Sequence, residues 1–323
     1  MKQSLVWIHG ALLCLAVVAG EAADTYPSRP VRFIIPYPAG GATDILARSL
    51  AQKLTEVTGQ PVFVENRAGA GGAIGTDAIA KAAPDGYTIG LAHAGPLAIN
   101  PSLLKKLPYN SPRDFTPISL MGLQENVVVV HPSLPVRSIK QLIALAKARP
   151  GEIIMGSGGT GTGSHLAGAM FLSMTGVKML HVPYKGNAPA VIALLSGETQ
   201  IMFPTILTAK PHVEAGRLRA LAVTTAQRVA AMPNLPTVAQ AGVPHYESSI
   251  WFGVMGPAGM PADMVTRLNT EVGKILNAPS FKASFVNQGL DIKTSSPEEF
   301  IKLITTEKVK WAKVVKDAGI HAQ

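Results

Sequence analysis

The sequence predicts an α/β protein of two lobes with a ligand cleft between them. Strand-like and helix-like segments alternate over residues 31–92 and again over residues 139–223, a pattern that is typical of mainly parallel sheets flanked by helices. Strand-like apolar runs at 124–130 and 249–255 can carry the chain from one lobe to the other and back. The predicted lobes are therefore residues 23–124 with 249–323, and residues 125–248.

The composition is that of a globular protein with a large core. Of the 323 residues, 47% are hydrophobic and only 15% are charged, which argues against intrinsic disorder. The formal net charge of +9 comes from scattered Lys and Arg residues, whereas nucleic-acid-binding proteins gather their basic residues into a patch or stripe. We therefore expect no nucleic-acid partner, and the positive charge can instead attract small anions.

The first 22 residues have the pattern of a secretory signal peptide. Lys2 precedes an apolar segment at 12–18, and cleavage is expected after Ala22 or Ala23. Cys14, the only cysteine in the sequence, lies in this segment, so the mature chain is predicted to have no disulfide and no thiolate metal site. No later apolar run reaches the length of a membrane span. We therefore expect export to a bacterial periplasm.

A stretch in the first lobe has the pattern of an anion-binding turn. Residues 33–44, FIIPYPAGGATD, predict a strand, a tight turn and the start of a helix. The N–H groups at such a turn have no acceptor inside the helix and lie at the positive end of its dipole, so they can receive an anion. Asp44 has two interpretations, a helix cap or a contact to an amine on the ligand.

A glycine-rich turn in the second lobe is a candidate nucleotide site. Gly156, Gly158 and Gly161 form a G-x-G-x-x-G pattern after a predicted strand. A dinucleotide-binding turn of this kind is followed about 20 residues later by an acidic residue, and residues 176–182 contain none. This disfavours a nucleotide cofactor and favours a small anion. Histidines that are spread singly along the chain also disfavour a transition metal.

Ser164 and His165 are a candidate nucleophile and base of an esterase-like enzyme. Adjacent residues on a helix point about 100° apart, so these two side chains do not face each other. We favour a helix cap for Ser164 and a structural hydrogen bond for His165. Lys185 follows the next predicted strand, where it either pairs with a carboxylate ligand or is solvated.

Several longer motifs are similar to those of one protein family. They are YPSRPVRFIIPYPAGGATD, VENRAGAGGAIG, PDGYT, HVPYKGNAPA, LRALAVTT and PTVAQAG. In this order they closely resemble the Bug-type solute receptors of tripartite tricarboxylate transporters, over residues 26–320. The resemblance implies a monomeric periplasmic binding protein, type II-like, whose two lobes close on a small organic carboxylate and deliver it to membrane permease subunits. It implies no catalysis, no cofactor and no metal, and a ligand sensor for a membrane signalling system is the alternative.

The resemblance also implies that the ligand's carboxylate is held by backbone N–H groups, hydroxyls and ordered waters at one turn from each lobe. In the first lobe the implied residues are Ala39, Gly40, Gly41, Thr43 and Asp44. In the second lobe they are Thr160, Gly161, Thr162, Gly163, Ser164 and His165. The predicted ligand-binding set is completed by Tyr37, Ala94, Gly95, Lys185 and Thr205.

The sequence departs from the family pattern at two cleft positions. Ala94 and Gly95 stand where relatives often have hydroxyl residues, so a less polar cleft is expected there. Pro204 and Thr205 stand where relatives often have Asp. Without that carboxylate, an amino-acid ligand is disfavoured, because a buried ammonium group needs an anionic partner.

Overall fold

The computed structural model of the protein describes residues 26–40, 42–286, 289–317 and 319. The strands in this part of the chain are β1 (Val31–Ile35), β2 (Val62–Asn66), β3 (Thr88–His93), β4 (Phe115–Gln124), β5 (Val127–Val130), β6 (Ile154–Ser157), β7 (Leu180–Pro183), β8 (Ile201–Met202), β9 (Arg219–Val223), β10 (Ile250–Pro257) and β11 (Leu290–Ile292). The helices are α1 (Ala42–Thr58), α2 (Ala73–Ala80), α3 (Asn100–Leu103), α4 (Ile139–Ala148), α5 (Gly163–Thr175), α6 (Asn187–Leu195), α7 (Ile206–Glu214), α8 (Ala262–Asn277), α9 (Pro279–Val286) and α10 (Pro297–Asp317). A 3₁₀ turn, Ala70–Gly72, precedes α2, and a π-helical turn, Gly95–Ile99, precedes α3.

The strands form two sheets, which confirms the predicted two-lobed α/β fold. The first sheet has the order β11-β4-β10-β3-β1-β2, and the second has the order β7-β6-β8-β5-β9. In the first sheet β1 runs parallel to β2 and β3. In the second, β6 runs parallel to β7 and β8. Both sheets therefore have a three-stranded parallel part whose strands are followed by helices or turns on the cleft side.

The prediction of mainly parallel sheets needs a correction, because both sheets are mixed. In the first sheet β10 runs antiparallel to β3 and β4, and β11 runs antiparallel to β4. In the second sheet β5 runs antiparallel to β8 and β9. The crossings between the sheets are the physical reason. Since β10 brings the chain back into the first sheet, it must run against β4, which leads out of it.

The described chain passes between the sheets at two places. The apolar run 124–130, predicted as one strand, is two strands of different sheets, because β4 ends at Gln124 and β5 begins at Val127. The return connection lies between Val223, the end of β9, and Ile250, the start of β10. The lobe boundaries at 124/125 and 248/249 stay a prediction.

Burial explains why the first turn is held firmly between β1 and α1. Phe33, Ile34 and Ile35 on β1 have no exposed surface, as expected for a strand that is covered on both faces. Leu46 and Leu50 lie one helical turn apart on α1 and are also fully buried, so this helix packs one apolar face against the sheet. Burying each such side chain stabilises the fold by about 2 kcal/mol.

None of the helices formed by the described residues is long and apolar enough to cross a membrane. The predicted signal peptide, residues 1–22, lies outside the described residues.

Candidate functional site

A cavity of about 670 Å³ lies between the two lobes and is lined by both of them. The first lobe contributes Tyr37, Pro38, Ala39, Ala70, Gly71, His93, Gly95, Ile99, Asn100, Leu103, Leu104, Gln124 and Ile250. The second lobe contributes Gly158, Thr160, Gly161, Thr162, Gly163, Gly186 and Asn187. The described lining contains no Lys, Arg, Asp or Glu. An anion in this cavity would therefore be held by neutral hydrogen-bond donors.

The first-lobe turn between β1 and α1 is fastened by the carboxylate of Asp44. One carboxylate oxygen, Oδ2, accepts hydrogen bonds from the backbone N–H of Gly40 at 2.9 Å and from Arg48 Nε at 3.0 Å. The other, Oδ1, accepts from Asn66 Nδ2 at 2.8 Å. Gly40 has φ 89°, a left-handed conformation that glycine adopts without steric cost. The Asp44 carboxylate thus links the turn to α1 and β2, and Asp44 does not line the cavity.

The electrostatics of Asp44 fit this internal role. The side chain is 2% exposed, and burial alone would raise its pKa. Hydrogen bonds from Arg48, Asn66 and the Gly40 N–H outweigh that effect and hold the pKa of Asp44 below its usual value. Asp44 is therefore ionised at neutral pH, and its charge is used within the turn.

His93 is a cavity residue that the sequence analysis did not select. Its Nδ1 accepts a hydrogen bond from the Gly95 N–H at 3.0 Å and lies 2.9 Å from the Tyr37 hydroxyl. Since a protonated Nδ1 could not accept from Gly95, the Tyr37 O–H is also a donor to this atom. Burial lowers the pKa of His93 to about 3, so the ring is neutral. Its position at the end of β3 could have identified it from the sequence, because ligands bind beyond the carboxyl ends of strands.

The second-lobe turn, residues 157–163 between β6 and α5, is stabilised by side chains of the turn and of the first turn of α5. Ser164 Oγ accepts from the Gly158 N–H at 2.9 Å, and His165 Nδ1 accepts from the Gly161 N–H at 3.0 Å. Thr162 Oγ1 donates to the Gly159 carbonyl at 2.7 Å. These bonds fix the shape of a segment whose glycines would otherwise leave it flexible.

The predicted cap of α5 needs a correction. The N-cap residue is Thr162, whose extended backbone precedes the helix and whose Oγ1 accepts from the His165 N–H. Ser164 lies inside the helix and bonds back to Gly158 instead. Ser164 Oγ and His165 Nδ1 each bind a backbone N–H of the turn, so they do not form a nucleophile and base pair.

Some backbone donors of the second-lobe turn and the start of α5 remain free. The N–H groups of Gly158, Gly159, Gly161 and Thr162 all have acceptors within the turn and the start of α5. Within the described residues, no acceptor is bound by the N–H groups of Thr160, Gly163 and Ser164. The last two belong to the first turn of the 13-residue helix α5, where the helix dipole favours negative charge.

The first lobe offers a matching donor across the cavity. The N–H of Ala39 binds no acceptor within the described part of the chain, and Ala39 lines the cavity. The neighbouring Gly40 N–H is already used by Asp44. Cavity-lining residues of both lobes therefore have free backbone donors.

The structure brings only some of the predicted site residues to the cavity. Those that line it are Tyr37, Ala39, Gly95, Thr160, Gly161, Thr162 and Gly163. Those that do not line it are Gly40, Asp44, Ala94, Ser164, His165, Lys185 and Thr205. Gly41 and the side chain of Thr43 lie outside the described residues.

Two of the predicted residues away from the cavity have clear surroundings. Lys185 is exposed to solvent. Thr205 is 7% exposed and precedes α7, where its Oγ1 lies 3.1 Å from Thr208 Oγ1. Neither arrangement brings a side-chain donor into the cavity.

Sequence reasoning also missed part of the lining. The missed polar residues other than His93 are Asn100, Gln124 and Asn187, and the missed large apolar residues are Ile99, Leu103, Leu104 and Ile250. Asn187 lies in the HVPYKGNAPA motif, and Gln124 and Ile250 lie at the predicted crossings, so their positions were available as signals. Leu103 and its neighbours belong to helical turns that no pattern predicted. In the described part of the chain no group of three or more His, Cys, Asp or Glu residues could hold a metal.

Comparison with known proteins connects this geometry to a family. Residues 46–320 match the model of the tripartite tricarboxylate transporter family receptor. Protein BugT of Bordetella pertussis is 39% identical over 320 residues, which cover 99% of this chain and 98% of BugT. The structure of R. palustris Rpa4515 with adipate has a TM-score of 0.83 at 38% identity and covers 92% of this chain and 100% of that one. The structure of MatC from Rhodopseudomonas palustris with bound malate has a TM-score of 0.77 at 27% identity, with 90% and 100% covered. These matches span nearly the whole described chain, and the protein therefore belongs to the receptor family of the tripartite tricarboxylate transporters.

Proposed function

We propose that this protein is a periplasmic receptor that captures a small organic carboxylate between its lobes and delivers it to the permease subunits of its transporter. The observation that carries the proposal is the uncharged cavity, whose lining residues Ala39, Thr160 and Gly163 have free backbone N–H groups in both lobes. The family and its solved relatives are binding receptors rather than enzymes.

The chemistry of the cavity suits a carboxylate with a hydrocarbon body. Backbone N–H groups at a helix start bind carboxylate oxygens well, and exclusion of water strengthens each of these hydrogen bonds. Ile99, Leu103 and Ile250 provide apolar wall for the carbon chain. Donors on both sides favour an acid with a carboxylate at each end, and the ligands in the two solved relatives, adipate and malate, are both dicarboxylates.

The same lining disfavours amino acids. An ammonium group that enters the cavity must lose its hydration, and this is costly unless an anion or several acceptors replace the water. No Asp or Glu lines the described cavity, and Asp44 is bound by Arg48, Asn66 and Gly40. We therefore expect adipate to bind better than glutamate.

A thermal-shift and calorimetry series tests the proposal. The mature protein is titrated with adipate, its monomethyl ester, malate and glutamate. Adipate at one hundred times its dissociation constant is expected to stabilise the protein by about 2.7 kcal/mol, and the monomethyl ester, with one carboxylate masked, is expected to bind more weakly. No response to either dicarboxylate, or a larger response to glutamate, would contradict the proposal.

The partners and location belong to the same proposal. The proposed receptor works as a monomer and is exported by means of its first 22 residues. It closes around the ligand and then docks on the membrane permease subunits. Deleting the permease genes is expected to abolish growth on the bound acid. Normal growth in that strain would favour the alternative role as a ligand sensor.

A further inference from the structure

We propose that His165 is a positioning residue for the ligand site, which holds the second-lobe turn in the shape that presents the N–H groups of Thr160 and Gly163. This inference rests on the proposed function, because it explains how those donors are aimed. His165 itself is 6% exposed and does not line the cavity. It would act on the ligand only through the backbone of the turn.

His165 makes a hydrogen bond that ties α5 to the turn before it. From the start of α5, its Nδ1 reaches back to accept the N–H of Gly161 at 3.0 Å. Gly161 lines the cavity and has φ 79°, a conformation that few other residues adopt. Four residues in the segment 156–161 are glycine, so the backbone has little stiffness of its own and this bond selects one of many shapes.

A second histidine holds the other side of the turn. The His165 ring stacks on His181 with centroids 4.1 Å apart and an interplanar angle of 17°. His181 Nε2 lies 2.7 Å from Ser157 Oγ, and Ser157 Oγ accepts the N–H of Gly159 at 3.2 Å.

The stacked pair therefore fixes Gly161 directly and Gly159 through Ser157. Thr160, whose N–H binds no acceptor among the described residues, lies between these two fixed points. The turn therefore has one free donor between two tethered ones, and a donor that is held in place in this way needs no rearrangement to bind a ligand.

The protonation state of His165 agrees with this role. Burial, with a smaller contribution from the neighbouring His181 ring, lowers the pKa of His165 to about 4. The ring is therefore neutral at neutral pH, and its Nδ1 lone pair is available to the Gly161 N–H.

The test compares His165→Ala with His165→Asn. The amide oxygen of Asn can take the place of Nδ1 as an acceptor, whereas Ala removes the acceptor altogether. In the ligand-free protein, amide exchange of Gly161 followed by NMR is expected to be about tenfold faster in His165→Ala than in the wild type and to be largely restored in His165→Asn. In calorimetry with adipate, His165→Ala is expected to bind about tenfold more weakly, and His165→Asn is expected to recover most of the affinity.

Each outcome decides a separate question. Unchanged Gly161 exchange and unchanged adipate affinity in His165→Ala would overturn the inference. If wild-type protein binds no adipate, the adipate part of the proposed function fails, while the exchange comparison still decides whether His165 fixes the turn. His131→Ala, at a partly exposed histidine bonded to Ser133, is the control and is expected to leave both measurements unchanged. If His165→Ala does not fold, His165→Gln, whose longer side chain carries its oxygen past the Nδ1 position, replaces it.

Discussion

Two buried carboxylates near the site show how local donors decide the charge of a residue. Asp44 is 2% exposed and accepts three hydrogen bonds, so its pKa is lowered. Glu125 is 7% exposed, and within the described residues no hydrogen bond to its carboxylate lowers its pKa. Burial, with a smaller effect of Asp291 that Lys293 opposes, raises the pKa of Glu125 to about 7. The same type of group is thus kept ionised in one place and is half protonated near neutral pH in the other.

Replacing Asp44 with Asn is expected to destabilise the protein by about 2 kcal/mol at neutral pH, since buried hydrogen bonds to a charged group are lost. Because the folded-state pKa of Asp44 is lowered, its contribution is present above the unfolded pKa and disappears as pH falls through the folded one. Urea denaturation of the wild type and the variant at pH 7 and pH 3 measures the loss in free energy of unfolding at each pH. Glu56→Gln, on the exposed side of the same helix, is the control and should change stability little. Equal effects of the two substitutions would contradict the role given to Asp44.

Replacing Glu125 with Gln is expected to stabilise the protein at alkaline pH. The folded-state pKa of Glu125, about 7, lies above the usual value of 4.5. The protonated carboxyl is therefore tolerated below the unfolded pKa, and the cost of the buried charge develops as pH rises through the folded pKa. We expect the variant to gain about 1–3 kcal/mol at pH 8 and nothing at pH 4, measured by urea denaturation. A gain that does not depend on pH would contradict this explanation.

At the scale of elements, the strand-turn-helix units that carry the site were predictable and several connecting elements were not. β1 with α1, and β6 with α5, follow from apolar runs that end in Gly-rich turns. The helical turns Gly95–Ile99 and α3 were missed because Pro96 and Pro101 indicate loops. β11 has only three residues, and its place beside β4 depends on tertiary contacts that no local pattern records.

The N-cap of α5 allows an element-scale prediction with a matched control. Thr162→Ala removes the cap of α5, and Ser138→Ala removes the cap that Ser138 Oγ provides to Gln141 N–H at the start of α4. Both substitutions are expected to destabilise the protein by about 1 kcal/mol. Only Thr162→Ala should also weaken adipate binding, because Thr162 Oγ1 also holds the Gly159 carbonyl in the cavity-lining turn. Denaturation gives the first quantity and calorimetry the second, and equal affinities in the two variants would argue against the coupling.

At the scale of the whole molecule, one buried hydrophobic cluster includes residues of both lobes. Trp251 of β10 and Phe300 of α10 pack edge to face with centroids 5.5 Å apart. They belong to the same buried cluster as Leu166 and Phe171 of α5 in the second lobe. Periodicity can predict which face of a helix is buried, but it does not specify which lobe covers that face.

A tight contact between the lobes at the site leads to a prediction about closure. A Cβ added at Gly163, at the start of α5, would lie 2.6 Å from Ile250 Cγ1 and 3.1 Å from its Cδ1. Ile250 is 5% exposed, so it has little room to move, and the lobes would have to separate slightly. Gly163→Ala is therefore expected to weaken adipate binding about tenfold.

Gly273→Ala is the matched control, because Gly273 is also helical and an added Cβ there meets nothing within 4 Å. This substitution should stabilise α8 by up to about 1 kcal/mol and leave the affinity for adipate unchanged. Calorimetry with adipate compares the two, and wild-type affinity in Gly163→Ala would show that binding does not need this contact between the lobes.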